Sequence, residues 1–422
     1  MLKLIKNSLF FPLAYYFAFF AKIRLVLWRP RVIVITGSSG KTSLLHLVEA
    51  GVLDKARYSH RANSAIGVPF DILGIKRQSL MFYEWPLLLL SPFAAIFKKP
   101  YKEKLYIVEA DCDRPGEGKF LANLLKPEVV LWTTTTRTHS MNFDSLVAQG
   151  KVASVEEAIA YEFGYFMEIA KKLVIINGDS NLMKMQIPRT KAKILEISRK
   201  DLGSYEVSIK QTKFEVKGKT FVFKYLLPEE FFYSIAFALS LFEYLEVDKF
   251  DFKSFSLPAG RSSIFRGKKN TLLIDSTYNS NLSSMTAILN MFEKIDHNKK
   301  WAVVGDMLEQ GVSEQEEHEN LAQILLGMKV NKIILLGPRV EKYAYPILKN
   351  NLPGSVSLEK FLSPKDLYKY LKINISGGEL ILFKGVRFME GVIENLLAFK
   401  SDRQYLARRE KVWQIRRKKW GL

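Results

Sequence analysis

The chain has 422 residues, 48% apolar and 25% charged, which is core material for two or three domains and excludes a disordered polar chain. Its one cysteine, Cys112, excludes an internal disulfide, and with only five scattered histidines a zinc cluster is excluded as well. The formal net charge of +20 suits an anionic partner, either a nucleotide-like substrate or an acidic membrane surface, and no nucleic-acid-binding module is present, so no nucleic acid is expected.

The first predicted element is the aromatic run "LFFPLAYYFAFFA", followed by Lys22 and Arg24 and preceded by Lys3 and Lys6. It is too short for a comfortable membrane span, and Pro12 interrupts it. No small-residue cleavage motif follows, which argues against a secretory signal. Two readings stay open: a helix lying in the plane of a membrane, or a helix packed on the first domain.

Val32–Ile35 is a β-branched run that predicts a buried strand, and Leu44, Leu45, Leu47 and Val48 follow at helical spacing. Between them lies Thr36-Gly37-Ser38-Ser39-Gly40-Lys41-Thr42-Ser43. The common phosphate loop has glycine five places before the second glycine, and here that place is Ile35. A strand, a glycine turn and a helix start still bring free N–H groups and a positive dipole end to one point. Gly37 and Gly40 allow close backbone approach, Lys41 supplies a charge for the outer phosphates, and Thr42 a hydroxyl for Mg²⁺. The competing reading is an ordinary turn with an exposed lysine.

Next come a turn with Asn63, Gly67 and Pro69, then a second apolar patch, "EWPLLLLSPFAAIF", and a basic linker. Leu105–Val108, Val129–Thr134 and "KLVIINGD" read as strands alternating with helices, hence a mostly parallel sheet. In such sheets ligands gather at the carboxyl ends of the strands. Glu109, the segment Thr135 to His139, and Asn177 with Asp179 are therefore expected to converge with the glycine loop. Residues 206–226 alternate as a hairpin, and "FFYSIAFALSLFEYL" reads as a buried helix. A second α/β unit then runs through the strands "TLLID", "WAVVGD", "KIILLG" and "LILFKG". The tail places Leu406, Trp413 and Trp420 seven apart among arginines and lysines, either a basic amphipathic helix for an anionic lipid surface or a helix docked by its tryptophans.

The expected fold class is α/β: a P-loop central domain with a mostly parallel sheet, plus a Rossmann-like C-terminal α/β domain. The expected segments are 1–30, an apolar and basic helix; 31–257, the ATP-binding domain; 258–400, the C-terminal domain; and 401–422, the basic tail.

Together the segments "TGSSGKTS", "NSAIGVP", "VEADCDRPGEGKFLANLLKPEVV", "AGRSSIFRG", "LLIDSTYNSNLSSM", "VVGDMLEQGVSEQEEHE" and "LFKGVRFMEGVIENL" resemble consecutive motifs of the Mur ligase family, from about Pro30 to Phe399. Within it they are most similar to the branch that adds D-alanyl-D-alanine. The resemblance implies an ATP-dependent ligase of peptidoglycan precursor synthesis: ATP phosphorylates a carboxylate, and an amine attacks the acyl phosphate. It implies ATP and Mg²⁺ as cofactors, and as partners a muramyl-peptide-like carboxylate and an amino-acid or dipeptide amine. By resemblance Thr36 to Ser43 hold the phosphates, with Lys41 central. Thr42 and Glu109 bind one Mg²⁺ and His139 helps at a second. Arg261, Asp275, Tyr278, Asn279 and Asn281 reach the nucleotide, and Lys384 and Arg387 suit substrate carboxylates. A cytoplasmic location follows, with attachment to the inner face of the membrane as a further expectation.

The sequence departs from the family in several places. About thirty residues precede the glycine loop, where the family carries a UDP-gripping domain, so a lipid-linked or shortened substrate enters as an alternative. Phe163 stands where the family has a carbamylated lysine, which leaves a second Mg²⁺ one ligand short. "LPEEFFYS" replaces the family's G-x-H-N segment, and Ser276 and Leu282 replace an aspartate and a proline of the D-D-x-Y-N-A-N-P signature. These losses keep a second alternative open, a membrane-surface scaffold with weak nucleotide binding.

Overall fold

The β-branched run after Pro30 becomes an inner strand of a six-stranded parallel sheet. In this computed structural model, residues 9–60, 62–77, 82–385 and 388–421 are described. Strands β1 (Arg31–Thr36), β2 (Arg57–Tyr58), β3 (Leu105–Ala110), β4 (Val129–Trp132), β5 (Leu173–Asn177) and β6 (Lys193–Ile197) lie in the order β2-β3-β1-β4-β5-β6. Every pairing in this sheet is parallel. Consecutive apolar residues in β1 and β4 are buried because both faces of the sheet are covered.

The longer helices of this half are α1 (Phe10–Trp28), α2 (Lys41–Val52), α3 (Gly67–Leu73), α4 (Trp85–Ala95), α5 (Glu117–Leu125), α6 (Val155–Ile169) and α7 (Phe231–Tyr244). Helix α1 packs on the first unit. Phe17 meets Phe70 of α3 edge-on at 4.6 Å, and Trp28 meets Tyr106 of β3 at 5.1 Å. Both sequence readings of this helix bear on one element, since its inner face is packed while Tyr15, Phe19 and Val26 remain exposed. Lys3 and Lys6 lie outside the described residues.

The chain divides into two compact units. The first comprises residues up to Asp201 together with Tyr233–Ser256; the second comprises Leu202–Phe232 and Leu257 onward. The second unit thus takes in the segment 202–232, which the sequence reading grouped with the ATP-binding domain. There β7 (Leu202–Val207), β8 (Thr212–Val216) and β9 (Lys219–Phe223) make a three-stranded antiparallel sheet, one strand more than the expected hairpin.

The main sheet of the second unit has the order β10-β11-β15-β12-β13-β14. Its strands are β10 (Ser263–Arg266), β11 (Leu272–Ser276), β12 (Lys300–Gly305), β13 (Lys332–Leu336), β14 (Ser357–Phe361) and β15 (Leu380–Lys384). Only β10 runs antiparallel to its neighbour. Helices α8 (Leu282–Lys294), α9 (Glu314–Leu326), α10 (Pro364–Asn374) and α11 (Met389–Leu396) flank it.

The tail forms α12 (Lys411–Lys419), docked on this unit. Arg417 is buried and donates to the Arg408 carbonyl at 2.8 Å, and both arginines face the buried Glu390 at 3.5 and 3.3 Å. Phe388 lies 6.4 Å from both Trp413 and Trp420. Of the two sequence readings of the tail, the docked helix describes this arrangement.

Candidate active site

The glycine loop is held open from one side by the segment after β4. Ser38 N donates to Thr134 O at 2.9 Å, and Ser39 N to Thr134 Oγ1 at 2.8 Å. Thr133 Oγ1 donates to Ser39 O at 2.7 Å, and Ser38 Oγ to Thr136 O at 2.8 Å. This is why β4 ends at Trp132, two residues short of the Thr134 end expected from the sequence. Gly37 has φ +125°, and a Cβ there would lie 2.5 Å from Thr133 Oγ1 and 2.8 Å from Thr134 N. Gly40, at φ 82°, precedes the first turn of α2. Only glycine fits the first position, and the second opens the helix in a left-handed conformation that glycine adopts freely. Thr36 is buried and donates to Ala110 O at 2.9 Å, tying β1 to β3.

Lys41 is buried at the start of α2. Its Nζ donates to Gly37 O and forms an ion pair with Asp111 Oδ2 at 2.8 Å. Burial pushes the ammonium pKa down, but the Asp111 and Glu109 carboxylates outweigh it and hold it above the ordinary lysine value. Thr42 Oγ1 donates to Glu109 Oε1 at 3.1 Å, and Asn63 Nδ2 reaches the same oxygen at 3.3 Å. His139 has a left-handed backbone, φ 53°, and its Nε2 lies 3.2 Å from Asp113 Oδ1. Ligand atoms of Asp111, Asp113 and His139 all lie within 4.8 Å of one another. The carboxylate oxygens are donors a hard divalent cation takes, and the imidazole nitrogen suits such an ion less well. Asp111 and Asp113 were not singled out from the sequence and Asn63 only as a turn residue, although "EADCD" spans a strand end and carries three acids in five residues.

Behind this cluster, Glu117 explains the Gly-Glu pair of the sequence motif. Its carboxylate accepts from Ala65 N at 2.7 Å and from Asp113 N at 3.1 Å, so one side chain braces the "NSAIGVP" turn against the Asp113 loop. Burial, then the charge of Asp113, pushes its carboxyl up to about 7. Glu162 accepts from Gly116 N at 2.8 Å and Gly118 N at 2.9 Å at the start of α5. The next residue, Phe163, is fully buried in the apolar core, 6.1 Å from the Trp132 ring. Asn177 and Asp179 do not join the loop. Asn177 Oδ1 accepts from Asp179 N at 2.9 Å, and Asp179 Oδ2 accepts from Arg199 N at 2.6 Å and Tyr233 Oη at 2.5 Å.

The second unit gathers its candidates at the carboxyl ends of β11 and β15. Asp275 Oδ1 accepts from Thr277 N at 3.0 Å and Thr277 Oγ1 at 2.6 Å. Its Oδ2 is buried without a hydrogen-bond partner among the described residues, and burial pushes the carboxyl up to about 6. Lys384, buried on the paired strand, donates to Asn279 O at 2.7 Å. Burial, and then the charge of Arg261, push its amine down to about 7. The Tyr278 ring lies 5.0 Å from the Arg261 guanidinium and 5.8 Å from that of Arg408. Asn281 caps α8, accepting from Ser284 N at 2.9 Å. Arg387 lies outside the described residues. The "GDMLEQG" segment is organised by His318, whose Nε2 accepts from Met307 N at 3.1 Å while Nδ1 donates to Glu314 O at 2.6 Å.

Residues 35–237 match the Mur ligase middle domain, and residues 260–387 match the Mur ligase glutamate ligase domain. The chain belongs to the Mur ligase family. It is therefore an ATP-dependent ligase of peptidoglycan synthesis that joins an acid to an amino acid and forms ADP. This Mur ligase is 25% identical to the UDP-N-acetylmuramoyl-tripeptide–D-alanyl-D-alanine ligase of Buchnera aphidicola over 87% of its own length and 77% of the relative's. The ligase of the same name from Bacillus subtilis is 24% identical over 87% and 76% of the two chains. In fold it is similar to the MurF ligase of Thermotoga maritima solved with ADP, with a TM-score of 0.71, 22% identity, and coverage of 93% of this chain and 84% of that one. MurF of Acinetobacter baumannii gives 0.69 at 18% identity, covering 91% and 79%.

Proposed function

We propose that this Mur ligase joins D-alanyl-D-alanine to the terminal carboxylate of a muramyl peptide, on the cytoplasmic side of the membrane. The reading is carried by its relatives, which are named for that reaction and match 87% of the chain at 24–25% identity. A carboxylate oxygen attacks the γ-phosphorus of ATP and releases ADP; the dipeptide amine then attacks the acyl carbon and expels phosphate. Little covalent work falls to the protein, so alignment and charge neutralisation account for the rate.

In this reading the N–H groups of Gly37 to Ser43 and the Lys41 ammonium hold the phosphates, with Thr36 anchoring the turn. To do so, Lys41 exchanges Asp111 for phosphate oxygen. Thr42 and Glu109 would hold one Mg²⁺; His139, with Asp113 and Asp111, would hold a second in place of the lysine that the resemblance expects at Phe163. Bound there, such ions would supply charge neutralisation at the phosphates. Arg261, Asp275, Tyr278, Asn279 and Asn281 serve the nucleotide, and Lys384 and Arg387 the acid substrate. Lys384 also braces the 277–281 loop through the Asn279 carbonyl.

ADP release against a panel of muramyl peptides, with and without D-alanyl-D-alanine, tests the assignment. Turnover should require both a muramyl tripeptide and the dipeptide. Equal turnover with a single amino acid as the amine would assign the enzyme to another reaction of the family.

A further inference from the structure

Helix α4 is apolar on the wrong side for an ordinary surface helix. Leu88, Pro92 and Ala95 face inward, yet Leu87, Leu90 and Phe97 are 74%, 67% and 85% exposed. Spacings of three residues put Leu87, Leu90 and Phe93 on one face of α4, and Phe97 follows in the turn after the helix. The patch continues onto α1. Phe93 meets Phe20 at 5.0 Å, Phe20 meets the 61%-exposed Phe19 at 5.3 Å, and Tyr16 Oη donates to Leu89 O at 2.6 Å. Along α1, Tyr15, Phe19, Lys22 and Val26 follow each other at helical spacing, all exposed. Two helices packed on each other through the buried Phe20, each with several large exposed apolar side chains, carry more apolar surface than scattered exposed side chains produce.

We propose that this two-helix face docks flat on an anionic lipid bilayer. Charge selects that occupant. No aspartate or glutamate occurs in residues 1–48 or 85–102, whereas Lys22, Lys98, Lys99 and Lys102 are exposed around the apolar face. Lysines ringing an apolar face match acidic headgroups at the bilayer surface. A second copy of the chain would bring the same lysines against each other, which opposes self-pairing. Depth is also set by the structure. The inner side of α1 is fastened to the first unit: buried Arg24 donates to the carbonyls of Lys98 and Lys99, and Trp28 Nε1 donates to Glu103 O at 2.6 Å. A helix tied in this way lies along the surface and does not cross it.

Beside the face is a groove of about 780 Å³ between α1 and α5. Tyr15, Phe19 and Phe120 line it together with Lys22, Lys119 and Lys126. Aromatic walls rimmed by lysines suit an acyl chain entering below an anionic headgroup. The tail contributes less than its composition suggests, because Arg408, Arg409 and Arg417 are engaged by Glu390 and Glu394. The lipid contact is therefore assigned to the first unit. It does not depend on which amine or acid the enzyme joins.

Co-flotation of the full chain with phosphatidylcholine vesicles, with and without phosphatidylglycerol, tests this. Wild type should float with the anionic vesicles at low salt and be released by salt. Leu90→Asp with Phe97→Asp should weaken binding roughly tenfold or more, as removal of an apolar anchor does. Val312→Asp, at another exposed apolar side chain, should float like wild type, and all variants should keep the wild-type melting temperature. Wild type left in the supernatant, or a double variant that floats unchanged, would overturn the proposal. Equal binding to neutral vesicles would overturn the choice of an anionic surface. A wild-type dimer that the double variant dissolves would assign the face to a second copy instead.

Discussion

Lys41 Nζ and Asp111 Oδ2 are 2.8 Å apart and largely buried, so the lysine proposed to hold phosphate has its charge balanced by a carboxylate. Removing one member of such a pair strands the other and costs about 3–5 kcal/mol, which would confuse a simple alanine substitution. Lys41→Met alone should lower both stability and turnover. Lys41→Met with Asp111→Asn should recover most of the stability while turnover stays down by on the order of 10²–10³, the scale for losing one donor to transition-state charge. Denaturant midpoints beside steady-state ADP release check this. Recovery of both together would mean that Lys41 acts on folding alone.

The cluster of Asp113 and His139 gives an expectation about metal. Asp113→Asn and His139→Ala should each raise the Mg²⁺ concentration for half-maximal turnover, by roughly tenfold as for altered ligand shells, with KM for the amine unchanged. Mn²⁺ titration followed by electron paramagnetic resonance gives an independent count of sites, which should fall from two to one. Two undiminished sites in either variant would remove these residues from the ligand set.

Phe163 is part of the core and offers no opening for the lysine that the family resemblance expects there. Phe163→Lys would place an amine beside Trp132, where its charge has no partner and its volume displaces packed rings. The variant is expected to melt several degrees lower, since about 1 kcal/mol already moves the midpoint of a domain this size by 2–4 °C. Added bicarbonate should not restore it. A variant of wild-type stability with bicarbonate-dependent turnover would show that the side chain can swing into the site.

Lys384 and Asp275 have opposite pH signatures. Burial lowers the Lys384 amine from 10.5 to about 7, so between these values the unfolded chain binds the extra proton and stability rises with pH. Asp275 is raised from 3.8 to about 6, so the folded chain holds the extra proton there and stability falls as pH rises through that window. Urea denaturation at several pH values, wild type against Lys384→Met, should show the rise above pH 7 reduced by up to about 1.4 kcal/mol per pH unit in the variant. An identical pH slope in both proteins would show that the amine is solvated.

Much of the fold was legible because its central strands carry continuous apolar runs: Val32–Ile35, Leu105–Val108 and "KIILLG" announce themselves by composition. The strands passed over in the two main sheets, β2, β6, β10 and β14, are the four edge strands; in β6 and β14 the apolar run is broken by Lys193, Glu196, Glu359 and Lys360. At the site, the loop from Gly37 to Thr42 was readable from its residues and Glu109 from its place at a strand end, and the structure puts Thr42 on Glu109. Asp111 and Asp113 were not, because their role depends on a turn that folds them back toward Lys41 and His139. Asn177 and Asp179 satisfied the strand-end rule but are consumed by a local turn and by Tyr233.

The way the two units share the chain sets the order in which the protein can be made. Residues 233–256 return to the first unit only after 202–232 have been given to the second. On that returning segment, the Phe242 ring occupies the space over Gly51 of α2, and Tyr244 Oη reaches Glu128 at 2.6 Å. Glu128 in turn holds Arg31 at 2.7 Å, at the foot of the strand that carries the glycine loop. The nucleotide half therefore stays unfinished on the ribosome until residue 244 has emerged. A fragment cut at residue 201 would lack the helix that closes α2, and the two halves are to be expressed as one chain.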